Sequence, residues 1–141
     1  MKKILIINGP NLNMLGLRNK EKYGSQTLAE IETMIKNEFK EFSFEFFQSN
    51  HEGFIIDKIH EAFEFDALII NPGAYTHTSI AIRDALEILP IIKVEVHLSD
   101  INKREEFRKT NFISDVVNNC FMGKQSESYI EAISFIKEKL T

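Results

Sequence analysis

Cysteine is nearly absent from this chain of 141 residues, which contains only Cys120. A single cysteine excludes an intramolecular disulfide and is typical of proteins in a reducing compartment. We therefore expect a cytoplasmic protein. Cys120 itself lies in an apolar segment, so we interpret it as a packing residue rather than as a catalytic one.

Basic charge and long apolar segments are also scarce. The net charge of −4 argues against a surface built to contact the phosphates of a nucleic acid. The longest apolar stretches are far shorter than the roughly 20 residues of a membrane-spanning helix. Residues 4–7 are too few for the core of a signal peptide. We expect one domain over residues 1–141, with neither nucleic acid nor membrane as a partner.

Strand-like and helix-like segments alternate along the chain. Apolar or partly alternating runs predict strands near residues 4–7, 43–49, 67–70, 91–96 and 116–122. Apolar residues at three- and four-residue spacing predict helices near residues 27–39, 54–65, 78–89 and 128–140. The second helix places Ile55, Ile59, Ala62 and Phe63 on one face. This alternation predicts an α/β fold, a flavodoxin-like doubly wound five-stranded parallel sheet in a single domain.

The connection after the first strand is unusually long. It runs from Asn8 to a helix that begins near Thr27, whereas most strand-to-helix connections have roughly 2–6 residues. It leaves the carboxyl end of a central strand, where open α/β sheets bind ligands, and it carries Arg18 and Tyr23, a cation and a tunable proton acceptor. We expect residues 12–25 to form a lid or binding loop. The alternative is a solvated loop with scattered charges.

Polar residues follow three of the predicted strands. They occupy residues 8–11, 71–79 and 95–99. Because the carboxyl ends of parallel strands share one edge of a sheet, these segments can converge on one crevice. In the middle segment, Gly73 allows the backbone to approach a ligand closely, and the following helix N-terminus suits an anion or a hydroxyl oxygen.

Other interpretations of these residues stay open. Thr76 and Thr78 can cap the helix while His77 is exposed, and His97 can be a satisfied histidine at a strand end. A metal site of His77, His97 and Glu95 is disfavoured, because the chain lacks a His pair at helical ligand spacing and a Cys partner. A serine nucleophile lacks a Gly-x-Ser-x-Gly turn. A nucleotide or FMN site lacks a Gly-rich phosphate loop after the first strand.

Arg104 and Arg108 lie four residues apart and share a face if their segment is helical. One interpretation is a lattice of surface ion pairs with the intervening glutamates. The other is a cationic wall around a polar substrate and a basic group.

Taken together, several segments resemble the type II 3-dehydroquinate dehydratase family. They are Asn8-Gly9-Pro10-Asn11-Leu12, Arg18 to Tyr23-Gly24, Ser49-Asn50-His51-Glu52-Gly53, Asn71-Pro72-Gly73-Ala74-Tyr75-Thr76-His77-Thr78-Ser79, and Glu95-Val96-His97-Leu98-Ser99 with Arg104-Glu105-Glu106-Phe107-Arg108. The similarity runs in order and spacing from about Lys3 to Arg108. Several separated motifs that match together are far more specific than any one of them.

The resemblance implies a hydro-lyase that converts 3-dehydroquinate to 3-dehydroshikimate and water, in the shikimate pathway of aromatic amino acid biosynthesis. The family has a flavodoxin-like fold, needs no metal or other cofactor and forms no Schiff base. It eliminates water in the anti sense through an enolate. It assembles as a dodecamer of trimers, so we also expect a homo-oligomer.

The resemblance implies three catalytic roles. Tyr23 matches the general base that takes a proton from carbon 2. Because a free tyrosine has a pKa near 10, such a base needs a cation beside it, and Arg18 and Arg108 are the available ones. His97 matches the general acid that protonates the leaving hydroxyl. Asn11 matches the residue that holds a water on the enolate oxygen.

Substrate-contacting and supporting residues are implied in the same way. Those that contact the substrate in the family match Asn71, His77, Asp84, Leu98, Ser99 and Arg108. Among them, Leu98 and Ser99 match a carboxylate site, and Asp84 matches a residue that reaches a neighbouring subunit's site. Glu95 matches a supporting carboxylate. Arg18 also belongs to the lid, whose closure excludes water and protects the enolate.

The chain departs from the family pattern in two places. Asn19-Lys20 follows the lid arginine where the family commonly has Glu-Pro, and Gly-rich residues near the last strand are replaced over residues 124–128. A different class of function, a non-catalytic flavodoxin-like binding or assembly module, is therefore kept as the alternative. Retention of Arg18, Tyr23 and His97 together argues against it, because a scaffold does not need them.

Overall fold

The computed structural model describes all 141 residues. Five strands are present: β1 (Lys3–Asn8), β2 (Ser43–Gln48), β3 (Ala67–Asn71), β4 (Ile92–His97) and β5 (Asn119–Met122). The α-helices are α1 (Lys20–Tyr23), α2 (Leu28–Glu38), α3 (Glu52–Glu61), α4 (Ile80–Ile88) and α5 (Glu127–Leu140). Short 3-10 helices span Leu12–Met14, Ala62–Glu64, Gly73–His77, Ile101–Lys103, Glu106–Lys109 and Ser114–Val116.

The strands form one parallel sheet in the order β2-β1-β3-β4-β5. This arrangement confirms the predicted flavodoxin-like fold, with β2 at an edge. The chain leaves β1 for β2 on one side and then returns to place β3 on the other. The order therefore reverses between β1 and β3, and open α/β sheets bind ligands at such a switch point.

The apolar run of β1 is buried on both faces of the sheet. Ile4 and Ile6 pack in the core layer that also contains residues of α2 and α5, while Leu5 and Ile7 pack with α3 and α4. All four side chains are fully buried, and each contributes roughly 1.5–3 kcal/mol relative to an exposed position. A continuous apolar run rather than an alternating one is what a central parallel strand requires.

Helix starts follow local capping chemistry. Thr27 caps α2 through a capping box with Glu30, which confirms the start predicted there. The Ser79 hydroxyl caps α4 by accepting the N–H of Ile82 at 2.9 Å, so this helix begins at Ile80 and the prediction of a start near Thr78 is wrong by two residues. None of the helices is both long and apolar enough to cross a membrane.

Two further predictions are corrected. Phe63 is 53% exposed rather than part of the buried face, because α3 ends at Glu61 and the tighter 3-10 turn Ala62–Glu64 rotates the side chain away. The last strand begins at Asn119 rather than at residue 116, because Ser114–Val116 forms a 3-10 turn.

Candidate active site

A polar cavity lies at the carboxyl edge of the sheet, beside the switch point. It is lined by Pro10, Asn11, Leu12, Arg18, Tyr23, Asn71, Gly73, Ala74, His77, His97, Leu98, Ser99, Ile101, Arg104 and Arg108. The three polar segments that follow β1, β3 and β4 therefore do converge, together with the long connection after β1. Two residues implied by the resemblance are not on this lining: Glu95 lies behind His97, and Asp84 is exposed on α4.

His97 is held from behind by a buried carboxylate. Its Nε2 lies 2.5 Å from Oε2 of Glu95, and the same oxygen accepts hydrogen bonds from the Thr76 hydroxyl at 2.8 Å and from Asn111 Nδ2 at 3.0 Å. Glu95 and Thr76 are fully buried, and His97 is 4% exposed. These contacts fix the plane of the imidazole before any substrate arrives.

The charge of Glu95 decides which nitrogen of His97 carries a proton. Burial raises the pKa of Glu95, but the hydrogen bonds and charge of His97 and the bonds from Thr76 and Asn111 outweigh burial, so its pKa lies below its usual value. A carboxylate only accepts hydrogen bonds, so Nε2 of His97 donates to it. Nδ1 is left for the cavity, which suits a histidine that exchanges a proton there.

Tyr23 lies between two guanidinium groups. Nη1 of Arg104 donates to the phenol oxygen at 2.6 Å, and Cζ of Arg18 lies 3.8 Å from the centre of the ring. The donation from Arg104 stabilises negative charge on that oxygen. Of the two cations expected as candidates, Arg18 lies beside Tyr23, whereas Arg108 turns its Nε to Glu105 at 3.2 Å. The contact with Arg104 was not predicted.

The arginines also give the cavity an excess of positive charge. Burial lowers the pKa of Arg18, as does repulsion from Arg104 and Arg108, while Tyr23 raises it. The Arg104 side chain is only 10% exposed, its Nη1 also donates to the Ser99 hydroxyl at 3.2 Å, and its buried Nε lies 3.6 Å from Oε1 of Glu105, too far for a hydrogen bond. An anion in the cavity would offset the repulsion between the arginines. Both earlier interpretations of this arginine pair apply, since the pair lines the cavity and also contacts Glu105.

His77 is a neutral acceptor at the cavity. Burial lowers its pKa, and the positive charges of His97, Arg108 and Arg104 lower it further against the opposing bond to Thr110. Its Nδ1 lies 2.7 Å from the carbonyl oxygen of Thr110. A carbonyl only accepts, so Nδ1 carries the hydrogen and Nε2 can accept one from a substrate hydroxyl.

The floor of the cavity is tied to α5 by Tyr129. The Tyr129 hydroxyl donates to Oδ1 of Asn8 and accepts from Nδ2 of Asn71 at 3.1 Å. Burial raises the pKa of Tyr129, so it stays a neutral donor. Oδ1 of Asn71 accepts the N–H of Gly73 at 3.1 Å, which leaves one hydrogen of Nδ2 for a ligand.

Gly73 has a second reason besides the predicted one. Its φ is +59°, and a Cβ there would lie 3.1 Å from the carbonyl oxygen of Pro10, so the glycine permits the turns after β1 and β3 to touch each other. This contact closes one wall of the cavity. Gly73 also lies on the cavity lining, where the close approach of a ligand stays a prediction.

Sequence reasoning missed four residues of this arrangement. Thr76 was interpreted only as a helix cap, and Arg104 only together with Arg108, as surface ion pairs or as a cationic wall, without its contact to Tyr23. Asn111 and Tyr129 carried no local signal, because their contacts reach 16 and 58 residues along the chain. The only signal for Arg104 was its four-residue spacing from Arg108.

Neither a reactive cysteine nor a metal site is present beside the cavity. Cys120 pairs with Glu95 across β4 and β5, and burial together with that carboxylate raises the pKa of its thiol. A buried thiol of this kind is unreactive, which agrees with a packing role. No three His, Cys, Asp or Glu side chains are grouped so as to hold a metal ion.

Comparisons with known proteins agree with the fold and identify the family. The family model described as dehydroquinase class II matches residues 2–137. The chain is 51% identical to a 3-dehydroquinate dehydratase of Caldicellulosiruptor bescii, over 99% of each chain, and 48% identical to one of Thermotoga petrophila, over 98% of this chain and 96% of that one. A solved type II dehydroquinase from Butyrivibrio crossotus superposes with a TM-score of 0.94 at 48% identity, covering 96% of this chain and 97% of the other. The resemblance first seen in five separate motifs is thereby confirmed, and the chain belongs to the class II dehydroquinase family.

Proposed function

We propose that this chain dehydrates 3-dehydroquinate to 3-dehydroshikimate by an anti elimination through an enolate. The observation that carries the proposal is the pairing of a tyrosine under an arginine with a histidine on a buried carboxylate, at one cavity. The names of the relatives support the substrate. The lining includes no lysine, which supports a route without an imine.

Tyr23 is the base in this mechanism. Its phenolate takes a proton from carbon 2, and the electron pair moves to the neighbouring carbonyl oxygen to form the enolate. Arg104 favours the phenolate through its hydrogen bond at 2.6 Å, and Arg18 lies over the ring. A charge-assisted hydrogen bond of this kind is roughly twice as strong as one between neutral groups.

Asn11 stabilises the enolate by holding a water on its oxygen. The residue lies in the turn after β1, at the cavity, and its side chain makes no capping bond. A donor aimed at developing negative charge is a common source of rate enhancement.

His97 is the acid that completes the elimination. When the enolate collapses, the bond to the hydroxyl breaks and Nδ1 of the imidazolium supplies the proton that releases water. Glu95 stabilises that imidazolium through Nε2. The same carboxylate keeps the ring oriented, as in other acid–base sites that pair His with a buried acid.

The substrate is positioned by the remaining lining residues. Ser99 and the backbone N–H groups of Leu98 and Ser99 bind the carboxylate, within the field of the arginines. Asn71 donates to a hydroxyl, the neutral His77 accepts from one, and Arg108 adds a cationic donor. Together these residues offer partners for the carboxylate and the hydroxyl groups of a polyhydroxylated cyclic acid.

Residues 12–25 act as the lid of a single catalytic domain. The segment carries Arg18 and Tyr23, and its helix α1 is capped by Asn19, whose Oδ1 accepts from the N–H groups of Glu21 and Lys22 at 3.0 and 3.3 Å. The capping side chain supplies local order where the family commonly has a proline. Closure of the segment excludes water from the enolate.

Membership of the family supports a proposal for the assembly and the biological setting. We propose a dodecamer of trimers, in which Asp84 reaches the site of a neighbouring subunit. Ile80 and Ile88, one turn before and one turn after Asp84 on α4, are 55% and 63% exposed and offer an apolar surface for a partner copy. We place the enzyme in the shikimate pathway and in the cytoplasm, which suits a chain with one free cysteine.

An assay of the purified protein with 3-dehydroquinate tests this proposal. Formation of the conjugated enone is followed by ultraviolet absorbance, and a substrate that is stereospecifically deuterated at carbon 2 reports which hydrogen is lost. We expect turnover with loss of the hydrogen anti to the leaving hydroxyl. Folded and assembled protein without turnover would reject the function, and loss of the syn hydrogen would reject the mechanism.

A further inference from the structure

The segment of residues 49–53 has no role in the mechanism so far. It comprises the connection from β2 to α3 and the first two residues of α3, and it contributes nothing to the cavity lining. Its sequence nevertheless belongs to one of the segments that carry the family resemblance. The contacts of Asn50 suggest why these residues matter.

Asn11 adopts a backbone conformation that most residues avoid. Its φ and ψ are 69° and 0°, in the left-handed region, which residues other than glycine adopt only uncommonly, asparagine more often than most. Because its side chain makes no capping hydrogen bond, the direction in which that side chain points depends on how the backbone is held.

Asn50 holds that backbone. Its Oδ1 accepts the N–H of Asn11 at 3.0 Å and Nε2 of Gln48 at 3.2 Å. Gln48 also donates to the carbonyl of Gly9 at 3.2 Å. On its other side Asn11 has only a turn bond, in which its carbonyl accepts the N–H of Met14 at 3.0 Å.

The same residue contacts a second wall of the cavity. The backbone carbonyl of Asn50 accepts the hydroxyl of Tyr75 at 2.9 Å. Tyr75 belongs to the 3-10 helix Gly73–His77, which also carries Thr76 and His77. This bond fixes the position of Asn50 against a rigid element, so Asn50 can in turn fix the turn after β1.

We propose that Asn50 is a positioning residue that acts through Asn11, by holding its backbone in the left-handed conformation that aims its side chain at the enolate. The inference rests on the proposed function of Asn11. It concerns an exposed side chain at a strand end, so its removal should alter catalysis without unfolding the protein.

Asn50→Leu tests the proposal, because leucine has a similar size and cannot accept a hydrogen bond. We expect kcat to fall on the order of 10- to 100-fold, the effect of a misaligned catalytic group, with KM unchanged. Asn50→Asp keeps an acceptor oxygen and should restore most of kcat. The matched control is Asn118→Leu: the exposed Asn118 also accepts a backbone N–H, that of Lys93 at 2.8 Å, but at the opposite edge of the sheet. It should leave both constants unchanged.

A double-mutant cycle shows whether Asn50 acts through Asn11. In an Asn11→Ala background, Asn50→Leu should cause no further loss of kcat. An equal loss in both backgrounds, or a loss confined to KM, would overturn the proposal.

Hydrogen exchange of the Asn11 amide supplies a readout that does not depend on activity. We expect faster exchange in Asn50→Leu and no change in Asn118→Leu. Exchange that is unaffected by Asn50→Leu would overturn the inference even in an active enzyme, which separates its failure from failure of the proposed function.

Discussion

The two sides of the cavity are built in different ways. On the acid side, His97, Glu95 and Thr76 are buried and are joined by bonds that span 2 to 21 residues, on β4 and the adjoining 3-10 helix. On the base side, half-buried Tyr23 belongs to the four-residue helix α1 and meets Arg104 across 81 residues of chain. The proposed acid is therefore positioned by the sheet itself, whereas the proposed base is positioned only when the long connection lies over the cavity.

Because of this difference, the two sides of the cavity have different tasks. A short helix in a long connection is stabilised by few packed contacts. We propose that it opens at low cost in free energy and admits substrate on the side of Tyr23, while the buried side of His97 stays assembled. Substitutions on the two sides should therefore differ in size and in kind.

Tyr23→Phe should have the largest effect. It removes the proton acceptor while keeping the ring under Arg18, so turnover should fall on the order of 10³- to 10⁴-fold with substrate binding still measurable. Steady-state kinetics and equilibrium titration check the two parts. Unchanged turnover would reject Tyr23 as the base.

His97→Ala should lower turnover by about 10²- to 10³-fold, chiefly through kcat. The loss is smaller because Asn11 still stabilises the enolate and water can supply the proton. Kinetics with a substrate analogue that carries a better leaving group than hydroxide should recover part of the rate. An effect on KM alone would make His97 a binding residue and erase the distinction between the two sides.

Arg104→Lys should lower kcat rather than abolish activity. A lysine keeps the charge but not the planar donor that lies 2.6 Å from the phenol oxygen, so we expect kcat to fall on the order of 10-fold. Arg108→Lys is the comparison variant, and its main effect should be on KM. A loss of kcat in Arg108→Lys but not in Arg104→Lys would make Arg108 the partner of Tyr23.

The smallest effect concerns stability: besides lowering turnover through His97, Glu95→Gln should change how the free energy of unfolding depends on pH. The folded-state pKa of Glu95 lies below its ordinary value of 4.5. Its ionised form therefore adds stability that is complete above that value and is lost as the pH falls through the lower folded pKa.

Urea unfolding across the acid range checks this prediction. The free energy of unfolding should fall less steeply with acid in Glu95→Gln than in the wild type. The exposed Glu106→Gln control should keep the wild-type dependence. Parallel curves for all three proteins would show that Glu95 is not the stabilised carboxylate of the acid side.

The strands and helices could be predicted from the sequence better than the side-chain contacts between them. The continuous run of β1 and the apolar stripe of α2 depend on local burial, so periodicity was sufficient for them. Phe63 was misplaced because a change from an α-helical to a 3-10 turn leaves no mark in apolar spacing. The pairing of Tyr23 with Arg104 was missed because the sequence alone does not distinguish Arg104 from Arg108. Only the fold shows that Arg104 is the one that contacts Tyr23.

Treatment of the wild-type enzyme with a chelator, and separately with borohydride in the presence of 3-dehydroquinate, tests the central claim most directly. The claim is that Tyr23 and His97 carry the elimination with the chain's own side chains. We predict that the rate of enone formation is unchanged by either treatment. Activity that is lost to the chelator and restored by a metal ion, or lost irreversibly as borohydride traps an imine on a lysine, would contradict it.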